Sequence, residues 1–245
     1  MEVIRSRQNE LIKRFLLLAS DGKARREAGV YVCAGTKLLG EAVSSGAEID
    51  CVLCPEEIPG LPCRLVAPEL LRAVTPLQNS DGPVFTVKMS SVPTPAEMKR
   101  VIVLENVQDP GNVGTVLRTA DAFGMDAVVL CGACADPYQP KTVRASMGAI
   151  FRQCVLRTEV AALRELLGDL KLYGAALRED AQDIRTLPKE GLAVAVGNEG
   201  QGLSEALLSV CDGTAIIPME PCTESLNAGV AAAVAMWEMV RGWQD

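Results

Sequence analysis

Five polar side chains occupy positions in the chain where they could act together chemically. They lie in three loops, at residues 105–118, 197–204 and 216–227, and they are Asn112, Arg118, Glu199, Ser225 and Asn227. An arginine near the start of a helix can hold a phosphate or a carboxylate. Helix capping and solvent exposure would explain any one of these loops. They do not explain all three in this order and spacing, which together indicate a ligand-binding site.

The second loop reads Gly197-Asn-Glu-Gly200-Gln-Gly202 and directly follows a predicted buried strand. Three glycines in six residues allow the backbone to approach a ligand closely or to adopt positive φ. The order Gly-x-x-Gly-x-Gly differs from the dinucleotide fingerprint Gly-x-Gly-x-x-Gly, and no acidic signature follows about twenty residues later. The loop therefore predicts a ligand site that is unlike a nicotinamide dinucleotide site.

The chain contains no histidine, which restricts the available chemistry. Ser-His-Asp and Cys-His catalysis are excluded, as is any mechanism that uses an imidazole base. Proton transfer must use arginine, lysine, carboxylate, hydroxyl, thiol or backbone groups.

Nine cysteines are present, including the pairs Cys51/Cys54 and Cys131/Cys134. A structural zinc site needs four converging ligands, and there is no histidine to contribute one. We therefore expect buried, reduced thiols that pack as small hydrophobic groups, and no metal.

The formal net charge is −7, and residues 1–95 contribute none of it, because they hold 11 basic and 11 acidic side chains. Basic residues cluster near the amino end, among them Arg5, Arg7, Lys13 and Arg14. On charge alone this cluster is either an RNA-binding patch or a solvated helix face. The apolar stretches are too short to span a bilayer and there is no signal-peptide pattern, so we expect a cytoplasmic protein with no membrane partner.

The elements that would position these residues form two α/β domains, 1–89 and 99–245, joined by a Pro/Ser-rich linker at 90–98. The first has predicted helices at 8–28, 36–46 and 68–73 and strands at 30–33, 49–53 and 84–88. The second has strands at 101–104, 127–130, 171–177, 192–196 and 214–217 and helices at 112–123, 159–168 and 225–242. Its strands lack polar alternation, which indicates a parallel sheet covered on both faces, and ligands bind at the carboxyl ends of such strands.

Two helices of the second domain have predicted details. Asn112 is expected to cap the helix at 112–123. The last helix is expected to bury one apolar stripe and to leave its alanines for close packing, perhaps against another subunit. The stripe is Leu226, Val230, Ala233, Val234 and Trp237.

The three loops resemble the motifs of the SpoU/TrmH branch of the SPOUT methyltransferases. The matching segments are Asn112-Val-Gly-x-x-x-Arg118, Gly197-Asn-Glu-Gly-Gln-Gly202-Leu-Ser, and Ile217-Pro-Met219 through Ser225-Leu226-Asn227. The resemblance covers residues 99–245 and includes the intervening segment 140–149. More loosely, residues 1–89 are similar to the family's RNA substrate-binding domain, an α/β domain of ribosomal-protein type.

This resemblance implies a deep trefoil knot in the catalytic domain, a homodimer formed through the knotted region, and S-adenosylmethionine as cofactor. The cofactor-binding residues that it implies are Gly197, Gly202, Ile217, Met219 and Leu226. The implied RNA contacts are Arg144 and Ser146, joined by Arg5, Arg7, Lys13 and Arg14 of the N-terminal domain.

The implied reaction is methylation of a ribose 2′-hydroxyl in RNA. In the family the arginine matching Arg118 is regarded as the base. Since an arginine normally stays protonated, holding the neighbouring phosphate is the alternative role. Asn112, Glu199, Ser225 and Asn227 would position Arg118, the ribose and the methyl donor. The separate N-terminal domain favours ribosomal RNA, and the alternatives are transfer RNA as substrate or a non-catalytic RNA-binding or assembly factor.

Overall fold

The computed structural model describes residues 3–76, 82–89, 92, 94–220 and 225–241. Residue contacts divide the chain into two units. One is Met1–Ser90 with Asp136–Arg152, and the other is Ser91–Ala135 with Gln153–Asp245. The segment Asp136–Arg152 falls inside the domain predicted at 99–245, yet it is grouped with the N-terminal unit. Parts of the predicted linker, residues 221–224 of the third loop, and the predicted helix end at 242 lie outside the described residues.

Helices and strands alternate from the amino end to residue 89. They are α1 (Glu10–Ser20), α2 (Gly22–Ala28), β1 (Val30–Ala34), α3 (Thr36–Ser44), β2 (Ile49–Cys54), β3 (Cys63–Leu65), α4 (Pro68–Val74) and β4 (Val84–Lys88). The single helix predicted over 8–28 is wrong. Asp21 is extended and ends α1, and its carboxylate accepts hydrogen bonds from Lys23 N and Ala24 N to begin α2. The strand β3 was not predicted, because three residues are too few to show a pattern.

The rest of the chain continues the alternation. Its elements are β5 (Arg100–Glu105), α5 (Pro110–Ala122), β6 (Ala127–Cys131), α6 (Pro140–Ser146), β7 (Val155–Thr158), α7 (Val160–Leu167), β8 (Lys171–Ala175), β9 (Gln182–Asp183), β10 (Leu192–Val196), α8 (Glu205–Ser209), β11 (Gly213–Ile216) and α9 (Ala228–Val240). The five predicted strands are confirmed as β5, β6, β8, β10 and β11. The elements α6, β7 and β9 were missed.

The first unit is built on a four-stranded sheet in the order β1-β4-β2-β3. The strand β4 pairs antiparallel with both β1 and β2, while β2 and β3 are parallel. Helix α1 buries Ile12, Phe15 and Leu18 in the core. This spacing of three residues places one apolar stripe against the sheet.

The segment Asp136–Arg152 packs against this sheet through polar and aromatic contacts. The Arg25 side chain is buried, and its guanidinium donates to the Asp136 carboxylate at 2.6 and 3.2 Å. It also donates to the Leu18 carbonyl oxygen at 2.7 Å. The Tyr31 ring lies 4.9 Å from the Tyr138 ring. Arg25 is therefore a structural residue.

The second unit contains a seven-stranded sheet in the order β7-β6-β5-β10-β8-β11-β9. Every pairing between these strands is parallel. The central strands β5, β6 and β10 are buried along their whole length, which confirms the predicted parallel sheet. The order places the carboxyl ends of β10, β8 and β11 side by side, so the loops that follow them share one edge of the sheet.

Helix α5 begins two residues earlier than predicted. Asp109, not Asn112, is its N-cap, and the Asp109 carboxylate accepts from Asn112 N at 3.0 Å. Pro110 occupies the first turn, where its fixed φ and missing N–H are tolerated. The Asn112 side chain is therefore available for other contacts.

Helix α9 buries a different face from the one predicted. Ala228, Gly229, Ala232, Ala235, Met236 and Met239 are the buried residues. Val230 is 48% exposed and Trp237 is 52% exposed. The prediction was wrong because the helix is apolar on all sides, so periodicity could not identify the inward face. The small residues instead allow α9 to pack closely on α5, β5 and β10.

Among the described residues, no helix combines the length and the apolar character needed to cross a membrane.

Candidate active site

A cavity of about 410 Å³ lies at the carboxyl ends of β8, β10 and β11. Seven of the predicted site residues line it, namely Gly197, Glu199, Gly202, Ile217, Met219, Ser225 and Leu226. They come from the second loop, which follows β10, and the third loop, which follows β11. Only β8 separates these two strands in the sheet. The sheet order thus brings together two segments that lie about twenty residues apart in the sequence.

The second loop closes tightly on itself. Gly202 N donates to the Asn198 carbonyl oxygen at 2.8 Å. A Cβ placed on Gly197 would lie 2.2 Å from the Gly202 carbonyl carbon and 2.5 Å from Leu203 N. Gly202 has φ 69°, in the left-handed region that favours glycine. Glycine is therefore required at 197 for space and is favoured at 202 for backbone conformation.

Asn198 shapes the same loop with its side chain. Its Oδ1 accepts from Gly200 N at 2.9 Å and from Gln201 N at 3.2 Å. Its Nδ2 donates to the Asn106 carbonyl oxygen at 3.1 Å. Asn198 was not among the predicted site residues. An asparagine beside several glycines is the signal that could have found it, because this side chain satisfies nearby backbone groups.

Asn112, Glu199 and Asn227 come together beside the cavity. Asn112 Nδ2 donates a hydrogen bond to Glu199 Oε1, which links the first loop to the second. A Cβ on Gly229 would lie 3.4 Å from Asn112 Oδ1 and 3.2 Å from Asn227 Oδ1. Gly229 therefore belongs to the site, although the sequence analysis missed it. Asn227 also caps α9 by accepting from Gly229 N at 3.0 Å.

Arg118 forms no hydrogen bond with this group in the described part of the chain. It is exposed on α5, and the described part of the chain shows neither a hydrogen bond nor an ion pair from its guanidinium. It does not line the cavity. An exposed guanidinium of this kind can receive an external anion.

The other predicted RNA contacts differ in their exposure. Arg144 is exposed at the end of α6, whereas Ser146 is fully buried and its hydroxyl donates to the Val143 carbonyl oxygen at 2.8 Å. The Ser146 hydroxyl is therefore not presented at the surface of the chain. Both residues lie in the segment that is grouped with the N-terminal unit.

The four basic residues predicted near the amino end are all exposed. Lys13 pairs with Glu10 at 2.7 Å, and Arg14 pairs with Asp50 at 3.2 Å. Such exposed pairs are weak and exchange readily with other partners. Arg5 and Arg7 have no ion pair among the described residues, so they are the more available cations.

One further charged pair stands at the rim of the cavity. Arg178 and Glu205, both exposed, form an ion pair at 2.5 Å and both line the cavity. Neither was predicted, because each lies outside the three motifs.

The cysteines of the described chain are free thiols, and all are buried except the partly buried Cys211. Cys222 lies outside the described residues. Burial raises the pKa of Cys131 and of Cys211 to about 11. Burial and a hydrogen bond with Cys63 raise the pKa of Cys54 to about 12. These thiols stay protonated near neutral pH, so they do not act as thiolate nucleophiles.

The fold and the cavity are those of an α/β protein that binds a small molecule at one edge of a parallel sheet. A parallel α/β sheet carries a small-molecule site at the carboxyl ends of its strands, with main-chain groups, apolar walls and an adjoining group of asparagine and carboxylate side chains. A cavity of this size suits a ligand of nucleoside dimensions.

Comparison with known proteins identifies the family within this class. The model of the SpoU rRNA Methylase family matches residues 99–237. The chain is 33% identical over 250 residues to the 23S rRNA (guanosine(2553)-2'-O)-methyltransferase RlmP of Bacillus subtilis (strain 168), covering 98% of this chain and 99% of that protein.

Solved structures agree with this result. The AdoMet-bound rRNA methyltransferase from Sinorhizobium meliloti superposes with a TM-score of 0.86 at 26% identity, covering 98% of this chain and 97% of that one. The SpoU methyltransferase AviRb from Streptomyces viridochromogenes, in complex with AdoMet, gives a TM-score of 0.84 at 26% identity, covering 97% and 99%. The chain belongs to the SpoU rRNA methylase family, and it is an RNA methyltransferase that uses S-adenosylmethionine.

Proposed function

We propose that this protein transfers a methyl group from S-adenosylmethionine to a ribose 2′-hydroxyl of 23S ribosomal RNA. The observation that carries the proposal is the joining of Asn112 to Glu199 beside a cavity lined by the second and third motifs. The nearly full-length similarity to a 23S rRNA 2'-O-methyltransferase supports the choice of RNA and of atom. The guanosine named for that relative is the first position to test.

The residues around the cavity fit S-adenosylmethionine. Ile217, Met219 and Leu226 give apolar walls suited to an adenine, and the Gly197–Gly202 backbone lies open to a ribose. Glu199 places negative charge at the lining, which suits a cofactor that carries positively charged sulfonium and ammonium groups. We assign Gly197, Gly202, Ile217, Met219 and Leu226 to cofactor binding.

When bound, the cofactor supplies an electrophilic methyl group on a sulfonium. The protein must then orient the ribose hydroxyl for in-line attack and accept or pass on its proton. Asn112 is held by Glu199, and Asn227 is held by the first turn of α9, so both amides are fixed before substrate arrives. We assign Asn112, Glu199, Ser225 and Asn227 to positioning the two substrates, which itself accelerates a two-substrate reaction.

We assign Arg118 to the RNA phosphate next to the target ribose. Its guanidinium is exposed, and an arginine keeps its charge across the usable pH range. A permanently charged guanidinium at this phosphate would orient the ribose 2′-hydroxyl. It would also stabilise the negative charge that develops on the hydroxyl oxygen as the proton leaves.

We propose that residues 1–89 form the RNA substrate-binding domain, residues 90–98 the linker and residues 99–245 the catalytic domain. The exposed Arg5 and Arg7 support an RNA-facing role for the first domain, with Lys13 and Arg14 beside them and Arg144 in the segment grouped with it. Because ribosomal RNA is the substrate, we place the protein in the cytoplasm.

We propose a homodimer and a trefoil knot for the catalytic domain. The exposed Val230 and Trp237 of α9, with the Trp237 ring 5.7 Å from Phe123, form an apolar surface suited to a second copy. The chain leaves β11 at the far side of β8 and returns in α9 to pack on α5, β5 and β10. That return path is compatible with a knot.

Transfer of labelled methyl from S-adenosylmethionine tests the proposal on three unmodified transcripts, of 23S, 16S and transfer RNA. Alkali cleaves RNA through a free 2′-hydroxyl, so a methylated ribose leaves the label in an alkali-resistant dinucleotide. We expect such a dinucleotide from 23S RNA alone. A labelled dinucleotide from transfer RNA would mean that transfer RNA, and not 23S RNA, is the substrate. Label in mononucleotides would mean base methylation. Cofactor binding without transfer to any RNA would favour a non-catalytic factor.

A further inference from the structure

Glu105 is a buried carboxylate at the carboxyl end of β5 for which the reaction has no direct use. It is 2% exposed. Its two oxygens accept from two groups of one residue, Ser204 N at 2.7 Å and Ser204 Oγ at 2.6 Å. Burying an ionised carboxylate is costly unless hydrogen bonds compensate for lost water. The position of Ser204 is therefore strongly fixed by Glu105.

Ser204 also caps the helix that follows, so fixing Ser204 fixes the start of that helix. Its hydroxyl donates to Glu105 and accepts from Leu207 N at 3.1 Å, which caps α8. The carboxyl end of the second loop and the start of α8 are thus tied to β5.

The residue directly after β5 holds the other end of the same loop. Asn106 has φ 54°, and its carbonyl oxygen accepts from Asn198 Nδ2 at 3.1 Å. Its own Oδ1 accepts from Ala133 N at 2.8 Å. Asn106 is thereby fixed to the loop after β6 while it holds Asn198.

We propose that Glu105 and Asn106, here called the β5 anchor, hold the loop from Gly197 to Ser204 in the shape that binds the cofactor. The inference rests on the proposed function for the identity of the ligand. The anchor touches the loop at both ends, at Asn198 and at Ser204, and every residue from Gly197 to Leu203 lines the cavity. Glu105 and Asn106 do not line it. They are positioning residues, and losing them should weaken cofactor binding.

The variants Glu105→Gln and Ser204→Ala test the proposal in the full chain. The glutamine keeps the volume but points an amide N–H₂ at one of the two donors. The alanine removes the hydroxyl, and Ser204→Thr restores it. Asp126→Asn is the matched control, because Asp126 accepts from Lys99 N and Arg100 N, both at 2.8 Å, at the opposite end of β5. It has the same kind of carboxylate-to-backbone contact without the cavity.

Calorimetric titration with S-adenosylmethionine is the first readout, and amide hydrogen exchange of Gly200 and Gln201 without cofactor is the second. We expect the Kd to rise about tenfold to a hundredfold in Glu105→Gln and Ser204→Ala. We expect Ser204→Thr and Asp126→Asn to stay within about twofold of the wild type. Loop exchange should accelerate in the first two variants only.

Three results for Glu105→Gln would together overturn the proposal. They are wild-type affinity for S-adenosylmethionine, wild-type amide exchange in the loop, and a urea midpoint equal to that of Asp126→Asn. Should Glu105→Gln not fold, the Ser204 pair decides it, since equal affinity of the alanine and threonine variants would also overturn it. A wild-type chain that binds no S-adenosylmethionine would contradict the proposed function instead. Loop exchange would then still report on the anchor.

Discussion

Among the described glycines, Gly197 is the one where an added Cβ would make the closest contact. A Cβ there meets main-chain atoms of Gly202 and Leu203 at 2.2–2.5 Å, and these cannot yield without opening the loop. Gly197→Ala should therefore raise the Kd for S-adenosylmethionine by at least about tenfold, measured by calorimetry. Gly200→Ala is the comparison, because its nearest contact would be Asn198 Oδ1 at 3.5 Å, an ordinary distance. An equal loss in both variants would mean that alanine harms this loop wherever it is placed.

Arg118 should separate catalysis from cofactor binding. Because it is exposed on α5 and does not line the cavity, Arg118→Ala should leave the Kd for S-adenosylmethionine unchanged. The rate of methyl transfer to RNA should fall about 10²–10³-fold, as when a charge-stabilising group is removed. The measurement is kcat under saturating cofactor.

Arg185→Ala is the control for Arg118, because Arg185 is an exposed arginine paired with Asp183 and has no assigned part in the site. A similar loss of kcat in Arg185→Ala would show that the effect of Arg118→Ala is general electrostatics.

At the residue scale, the sequence predicted the motif residues but not their supports. Gly197, Glu199, Gly202 and Leu226 do meet in one cavity. In the sequence, Glu105 is one more polar residue at the end of a strand. Its supporting role depends on the sheet order, which places the Ser204 hydroxyl 2.6 Å from the Glu105 carboxylate. A contact between residues 99 positions apart leaves no local pattern in the sequence.

At the scale of elements, one buried guanidinium contributes to the attachment of the Asp136–Arg152 segment. Arg25→Leu would leave the Asp136 carboxylate and the Leu18 carbonyl oxygen without this donor. Breaking a buried pair from one side is costly, so we expect the free energy of unfolding to fall by about 3 kcal/mol. Urea denaturation measures it.

Lys23→Ala removes an exposed pair with Glu27 from the same helix as Arg25 and should change the free energy of unfolding by less than about 0.5 kcal/mol. If both variants have the same small effect, the Arg25–Asp136 contact is not a structural tie.

Elements with a clear apolar pattern were predictable, and elements fixed by tertiary contacts were not. Strands β5, β6 and β10 are fully buried and were read directly from their composition. Helix α9 is apolar on every side, so only its packing on α5 decides that Ala232 faces inward and Val230 outward. The short helix α6 packs on β1, and no local pattern in the sequence predicts this contact.

At the scale of the whole molecule, the exposed apolar face of α9 predicts self-association. Trp237→Glu should convert a dimer to a monomer in sedimentation velocity, because a carboxylate would be buried at the contact. Leu17→Glu is matched in exposure, since Leu17 is 53% and Trp237 is 52% exposed, and it should leave the dimer intact. A wild-type chain that sediments as a monomer would remove the dimer from the proposal.

The most direct test of the central claim identifies the methylated atom. RNA treated with the full chain and S-adenosylmethionine is digested to nucleosides, and mass spectrometry assigns the added methyl to ribose or base. We predict a 2′-O-methylnucleoside from 23S RNA, formed about 10²–10³-fold more slowly by Arg118→Ala at full cofactor occupancy. A methyl group on the base, or an undiminished ribose product in Arg118→Ala, would contradict the account.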